Sequence, residues 1–417
     1  MKTRENQEFS VSWKSEISMK TNFYSYKIGD LTKGCQLCIK GSKLVLFVTG
    51  LCPRCCYFCP ISDKKYQKDV TYADEWPTKN IKDIIKEAEL INAEGAGLTG
   101  GDPLCRLDRV IFYLKKFKKK FGKKFHIHLY TSLNLTNKNS LKKLYDNGLD
   151  EIRFHLDLDN DRLWEKIKLA LDYDWDVGVE IPVIPKKEKQ LKKIILFINE
   201  INKNNKNKIK FLNLNELEIA DNKVNKLTDL GYKTKNNLSY AIKGSEELAL
   251  RLLKFIEKNK IKINVHYCTA TLKDKVQMAN RIKRRAKNVR KKYDIVTDEG
   301  TLVRGVIYLA ELKPGIGYRK KIEKIKNKDS IIKKLSIIKN KLKKDFKIKN
   351  NLIEVDKNKL RILTSVKDVY KISDIINKNL LKNINKDKKL LNKKDLFLAV
   401  VEEYPTYDAF EINVEFL

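Results

Sequence analysis

Three cysteines, Cys52, Cys56 and Cys59, fall in the short segment CPRCCYFC. Three thiolates on one loop can hold three irons of a four-iron cluster and leave the fourth iron open to another ligand. A zinc site is the competing use of clustered cysteines, although a zinc knuckle normally draws two Cys or His pairs. Cys55 interrupts the triplet and reads as a bystander, because Cys56 fits the spacing. A second group is Cys35 and Cys38, a CxxC with metal-clip spacing, which His266 and Cys268 of HYC would complete if their strand returned beside the first. Zinc or an auxiliary iron-sulfur cluster are the candidates there; the alternative is a pair of reduced structural thiols with Cys268 in the core. In Thr99-Gly100-Gly101-Asp102-Pro103, glycines allow the backbone to approach a ligand closely and proline stiffens the chain. Cys105 reads as a plain thiol, and no catalytic acid or base is assigned.

These residues sit at particular places in a repeating pattern. Leu44–Thr49 (LVLFVT) predicts a buried parallel strand, and the cysteine triplet follows it at once. A helical stretch over 80–91 leads to a short strand, Gly95–Thr99, which runs into Gly100-Gly101-Asp102-Pro103. Further strands are expected at 125–131, 151–156, 177–182 and 210–214, with helical patterns such as 141–147 and 190–202 between them. Six strands alternating with helices imply right-handed βαβ units and an α/β fold, most economically a partial (βα)6 barrel with a C-terminal α+β extension. A flat doubly wound sheet is the other closure, and 261–268 could add a seventh strand. His126 and His128 share one strand face; if that face is lumen, Tyr130, Ser132, Arg153, His155, Glu180 and Asn213 are candidates to line a ligand. The expected divisions are an N-terminal segment with the CxxC (1–43), the barrel (44–270), a basic helix (271–293) and an α+β domain (294–417).

The chain has 417 residues, with 88 Lys+Arg against 53 Asp+Glu and a formal charge of +35. That surplus favours a polyanion such as RNA, but much of it lies in Lys/Asn-rich runs such as 202–210 and 378–394, which a solvated surface would also explain. The polar start, Met1–Ser10, carries no apolar signal core, and no run reaches the roughly 20 apolar residues of a membrane span, so a cytoplasmic protein is expected. Seven of the eight cysteines lie between Cys35 and Cys105, a clustering that suits metal or redox chemistry better than a disulfide scaffold.

CPRCCYFC after a strand, with GGDP ending the next, resembles the radical S-adenosylmethionine (SAM) superfamily. The resemblance implies a 4Fe-4S cluster on Cys52, Cys56 and Cys59, whose open iron takes the amino and carboxylate groups of SAM. An electron from a low-potential donor then cleaves SAM to a 5'-deoxyadenosyl radical. It also implies that Thr99, Gly100, Gly101, Asp102 and Pro103 contact the SAM amino group through backbone and side chain, though the family usually has Glu where this chain has Asp102. Over roughly residues 33–304 the resemblance extends to an uncharacterised archaeal group related to pyruvate formate-lyase activating enzyme. It rests there on GCQLCIKGSKLVLFVTGLCPRCCYFCP, TGGDPL and HYC followed by TLKD.

Three substrate readings follow. The first is modification of RNA, chiefly tRNA, with the basic stretch 273–292 and the C-terminal domain holding phosphates. The second delivers the radical to a protein, as the activase resemblance implies, and needs an acidic partner surface. The third is a non-catalytic RNA-binding module stapled by zinc.

Overall fold

The computed structural model describes residues 19–377 and 396–417. The leader Met1–Ser10 and the Lys/Asn-rich run 378–394 lie outside the described residues. The chain forms two units that part between Met278 and Ala279, with Leu90–Asn92 belonging to the second.

In the first unit a short hairpin, β1 (Met19–Lys20) and β2 (Tyr26–Ile28), precedes helix α1 (Lys33–Ile39), which Thr32 caps by accepting from the Cys35 amide. Then come β3 (Lys43–Thr49), the hairpin β4 (Thr71–Ala73) and β5 (Trp76–Thr78), α2 (Ile81–Leu90) and β6 (Gly95–Gly100). The alternation continues through α3 (Leu107–Phe121), β7 (His126–Ser132), α4 (Lys138–Asp146) and β8 (Glu151–His155). It ends with β9 (Asp176–Val183), α5 (Glu188–Asn204), β10 (Phe211–Glu216), α6 (Ser245–Lys258) and β11 (Asn264–Cys268). Among the described residues these strands make one 11-stranded sheet in the order β1-β2-β11-β10-β9-β8-β7-β6-β3-β4-β5.

The parallel strands β3, β6, β7, β8, β9, β10 and β11 lie side by side in chain order. Right-handed crossovers in one direction put every connecting helix on the same side, so the sheet curls into a partial barrel rather than a doubly wound layer. Segment 261–268 supplies the seventh parallel strand, β11. The period-2 pattern of the strands fits this geometry. One face carries Leu44, Leu46, Leu98, Ile127, Ile152, Phe154, Val179 and Leu212, all buried, and helices such as α5 cover it with Leu191, Ile194, Ile195 and Ile198. The other face is polar and lies inside the curl.

Helix α1 packs on that inner face against β3, β6 and β7. A Cβ on Gly34 would stand 2.4 Å from an Arg153 guanidinium nitrogen and 2.7 Å from His128 Nδ1, so only glycine lets the helix sit so close.

The segment expected as a basic helix over 271–293 is helical without a break from 270 to 289, with a change of winding inside it. Thr269 caps a short α7 (Ala270–Leu272), residues Lys273–Met278 widen into a π turn, and α8 (Ala279–Val289) follows in the second unit. The Asp294 carboxylate accepts from the Lys291 amide, which fixes the turn after it.

The second unit then runs β12 (Ile295–Val296), β13 (Leu302–Leu309), α9 (Tyr318–Lys324), α10 (Lys328–Asp345), β14 (Ile353–Asp356), β15 (Arg361–Thr364), α11 (Val366–Asn377), β16 (Leu396–Glu403) and β17 (Glu411–Phe416). Its strands pair antiparallel around β13. A buried ion network, Arg361 with Glu403 at 2.7 Å and Arg304 with Asp294 at 2.8 Å, crosses this sheet.

Candidate active site at the barrel mouth

The cysteine loop leaves β3 at the C-terminal end of the sheet, where a barrel presents its ligand-binding loops. Two features fix it there. Arg54 donates to the His155 carbonyl at the end of β8 (3.1 Å) and pairs with Asp157 at 3.1 Å, so one mostly buried guanidinium ties the loop to a strand across the mouth. From the other side the β10–α6 connection closes over it: the Lys226 amide donates to the Tyr57 carbonyl (2.7 Å) and the Asn222 side chain to the Cys59 carbonyl (3.0 Å).

Cys52, Cys56 and Cys59 are half-buried, whereas Cys55 is exposed and contacts Tyr66 Oη at 3.8 Å. Burial pushes the Cys52 thiol up to about 12, with the nearby Asp102 carboxylate adding to the effect and the Arg54 amide opposing it. Burial also raises Cys56 and Cys59. Metal binding at these thiols must therefore displace protons. Among the described residues no three Cys, His, Asp or Glu side chains converge tightly enough to hold a single metal ion. A four-iron cluster, whose protein ligands bind separate irons, calls for a wider spacing than one ion does.

The Gly-Gly-Asp segment extends the sheet beside this loop. The Gly101 amide donates to the Thr49 carbonyl and the Asp102 amide to the Leu51 carbonyl, each at 2.8 Å. Gly100 has φ +149°, and Cβ atoms on Gly100 and Gly101 would stand 2.3 Å from the Thr49 carbonyl oxygen and 2.4 Å from that of Leu51. These glycines thus admit the backbone that delivers Cys52. Asp102 turns inward and is 1 % exposed. Its carboxylate accepts from Thr131 Oγ1 (2.7 Å), Ser132 Oγ (2.7 Å), the Ser132 amide (3.0 Å) and the Leu104 amide (3.0 Å). Burial raises its pKa against the pull of these donors. Thr99 is on β6, Pro103 opens a 3-10 turn over 103–106, and Cys105 is half-buried near Cys52 and Asp102.

The inner face of the sheet collects the polar residues. His128 lies opposite Glu151, Tyr130 opposite Arg153, Ser132 opposite His155, and Glu180 opposite Asn213. Arg153 is fully enclosed, pairing with Glu151 and with Glu180 (2.8 Å) and donating to Tyr130 Oη (3.1 Å). Asn213 and Asn215 also donate to Glu180, at 3.0 and 2.9 Å. Burial pushes the Glu180 carboxyl up, but Arg153 and these amides outweigh it and hold it below its usual value.

Deeper on the same face the structure brings Cys35, Cys38, His266 and Cys268 into one neighbourhood. Cys35 Sγ accepts from Asn213 Nδ2 (3.3 Å) and Arg153 (3.7 Å), and Gln277 reaches both Cys38 (3.0 Å) and Cys268 (3.6 Å). The residues that sequence reasoning did not single out are Arg54, Asp157, Asn222 and Gln277. Only Arg54, lying inside the cysteine triplet, offered a local signal.

Residues 46–198 match the Radical SAM superfamily. The chain is also 41 % identical, over 286 residues that make up 66 % of this chain and 73 % of the other, to a Methanocaldococcus jannaschii protein whose name provisionally gives it as a glycyl-radical enzyme activating enzyme. The chain belongs to the radical SAM superfamily. As a radical SAM enzyme it implies SAM and a 4Fe-4S cluster, and the zinc-stapled, non-catalytic reading is set aside. Among solved structures it is similar to the radical SAM methyltransferase TsrM from Kitasatospora setae, at 7 % identity and a TM-score of 0.33, over 62 % of this chain and 54 % of that one. The chain thus spans about half the length of that structure, and a likeness so low carries no argument about activity. Among the described residues no helix is long and apolar enough to cross a membrane.

Proposed function

We propose that this radical SAM enzyme binds its 4Fe-4S cluster through Cys52, Cys56 and Cys59 and cleaves SAM reductively in order to act on a protein substrate. The observation that supports the site is the half-buried cysteine loop at the C-terminal mouth of the barrel, hydrogen-bonded backbone to backbone with Gly100–Asp102 and clamped by Arg54. When bound, the cluster supplies the electron, taken from a low-potential donor, that breaks the SAM carbon-sulfur bond.

The chain's own residues do the rest. Asp102 spends its carboxylate on β7, so the Gly100–Gly101 backbone and the end of β6 are the parts left to meet the SAM amino group. Thr99, Ser132, His155 and Glu180 line the inner face toward the mouth, where Glu180 is an anion already held in place by Arg153 and two amides. In this reading 44–270 is the catalytic barrel, 294–417 an accessory domain, and a reducing cytoplasm suits the unpaired thiols.

The name of the 41 % identical relative supports a protein substrate of the glycyl-radical kind over RNA. The +35 charge that suggested RNA would then serve to recognise an acidic partner face. The test is anaerobic SAM cleavage by the reconstituted, reduced enzyme with a ribonuclease-treated soluble protein fraction or with bulk tRNA. Stimulation by the protein fraction, together with a glycyl-radical signal in electron paramagnetic resonance, supports the proposal. Stimulation by tRNA alone, without that signal, overturns the substrate assignment.

A further inference from the structure

The structure assigns a second metal centre, a zinc site built by Cys35, Cys38 and Cys268 with His266 as the fourth donor, on the inner face beneath the barrel mouth.

The placement comes from two pieces of chain that converge. Cys35 and Cys38 stand one turn apart on α1, which packs inside the curl. His266 and Cys268 alternate on β11, so both point to the same face, and His266 lies opposite Asn213, whose amide donates to Cys35 Sγ at 3.3 Å. The His266 ring contacts the Cys35 thiol. The Gln277 amide bridges Cys38 and Cys268, at 3.0 and 3.6 Å. Three thiols and an imidazole are the closed tetrahedral set of a structural zinc site.

Two observations support a thiolate-bound metal there. His266 is 4 % exposed and donates or accepts through Nε2 to Ser25 Oγ at 3.2 Å, yet its buried Nδ1 has no partner. One imidazole nitrogen held by a side chain while the other waits is the arrangement of a metal-ligating histidine. Lys43 is buried with its ammonium near the Cys38 and Cys35 thiols, 3.3 Å from His128 Nε2, and makes no ion pair with a carboxylate among the described residues. A buried ammonium needs anions nearby; the Glu180 carboxylate acts on it without forming an ion pair, and three metal-bound thiolates, which leave a zinc centre net negative, would add a second anionic group.

As placed, the four donors do not meet at a single point, and the Gln277 side chain contacts both Cys38 and Cys268. The amide sits on the π turn 273–278, and π turns concentrate at functional sites. Metal binding turns Gln277 out and draws the two sulfurs together.

The experiment is elemental analysis of the full chain purified with both zinc and iron supplied, beside a triple Cys52→Ala, Cys56→Ala, Cys59→Ala variant. About one zinc per chain in both proteins is expected. The loss of cluster iron from the triple variant reports on the catalytic site separately. Cys268→Ala should remove most of the zinc. Lys43→Met, which leaves all four donors, should weaken zinc binding by on the order of tenfold. If Cys268→Ala fails to fold, cobalt(II) titration of the intact chain still decides: thiolate-to-cobalt absorption and tetrahedral ligand-field bands are expected, and octahedral cobalt bands overturn the proposal. No zinc in the intact chain after zinc supply, or iron that persists in the triple variant, overturns it as well.

Discussion

Replacing Asp102 separates two roles that its place in the motif allows. If the carboxylate contacted SAM directly, removing its charge would weaken SAM binding and leave folding alone. In the structure it instead accepts from four donors, three on Thr131 and Ser132 of β7 and one, the Leu104 amide, on the 103–106 turn. The Thr131 and Ser132 hydroxyls can rotate to other acceptors after Asp102→Ala, but the Leu104 and Ser132 amides cannot. Each amide left buried without a partner costs about 1 to 3 kcal/mol, so the variant should lose about 4 kcal/mol. Asp102→Asn keeps one acceptor oxygen and should lose about half of that. Of the four tryptophans, Trp76, Trp164 and Trp175 lie in the first unit and Trp13 lies outside the described residues, so tryptophan fluorescence during urea unfolding, measured in a Trp13→Phe background, reads this unit. The expected result is a lowered midpoint for both variants, Ala more than Asn, with Asp102→Asn still binding SAM at low urea. An unchanged midpoint in Asp102→Ala, or loss of SAM affinity in Asp102→Asn without loss of stability, refutes the reasoning.

Further outcomes follow from the same geometry. Cys56→Ala should lose cluster iron while Cys55→Ala keeps it, since Cys55 is exposed; iron analysis after anaerobic reconstitution checks this. Arg54→Ala removes the tie to His155 and Asp157, so the loop should release iron faster during gel filtration while the urea midpoint moves by no more than about 2 kcal/mol. His126 and His128 are buried and neutral, burial bringing His126 down to about 4 and His128 well below its usual value. Between those values and the unfolded value of about 6.5 the unfolded chain binds more protons, so stability should be complete above about pH 6.5 and fall as pH drops toward 4, by about 1.4 kcal/mol per unit for each ring. His128→Gln should flatten that slope in urea midpoints measured across the window.

What was legible in the sequence is what short-range chemistry decides. The spacing of Cys52, Cys56 and Cys59, the strand before them and the period-2 alternation of LVLFVT and FHIHLYT all follow from residues close in the chain. So did the shared face of His128, Tyr130, Arg153, Glu180 and Asn213, because strand periodicity fixes it once the strands are known. The role of Asp102 was not legible: its partners Thr131 and Ser132 sit about thirty positions on, and only the pairing of β6 with β7 brings them near. The reason for Gly100 and Gly101 was hidden in the same way, since the carbonyls they admit belong to Thr49 and Leu51. The helical character of the basic run was legible, but its widening into a π turn at 273–278, where Gln277 turns toward Cys38 and Cys268, was not. The gathering of Cys35 with His266 depended on β11 closing the parallel sheet.

The central claim is that the loop bearing Cys52, Cys56 and Cys59 is a SAM-cleaving centre. Its most direct test is 5'-deoxyadenosine release from SAM by the anaerobically reconstituted, reduced full chain, read beside the Cys56→Ala variant. The account predicts release by the intact chain and none by the variant. Release that persists without Cys56, or an intact chain that holds its iron, binds SAM and yet forms no 5'-deoxyadenosine with any reductant or protein fraction, would contradict it.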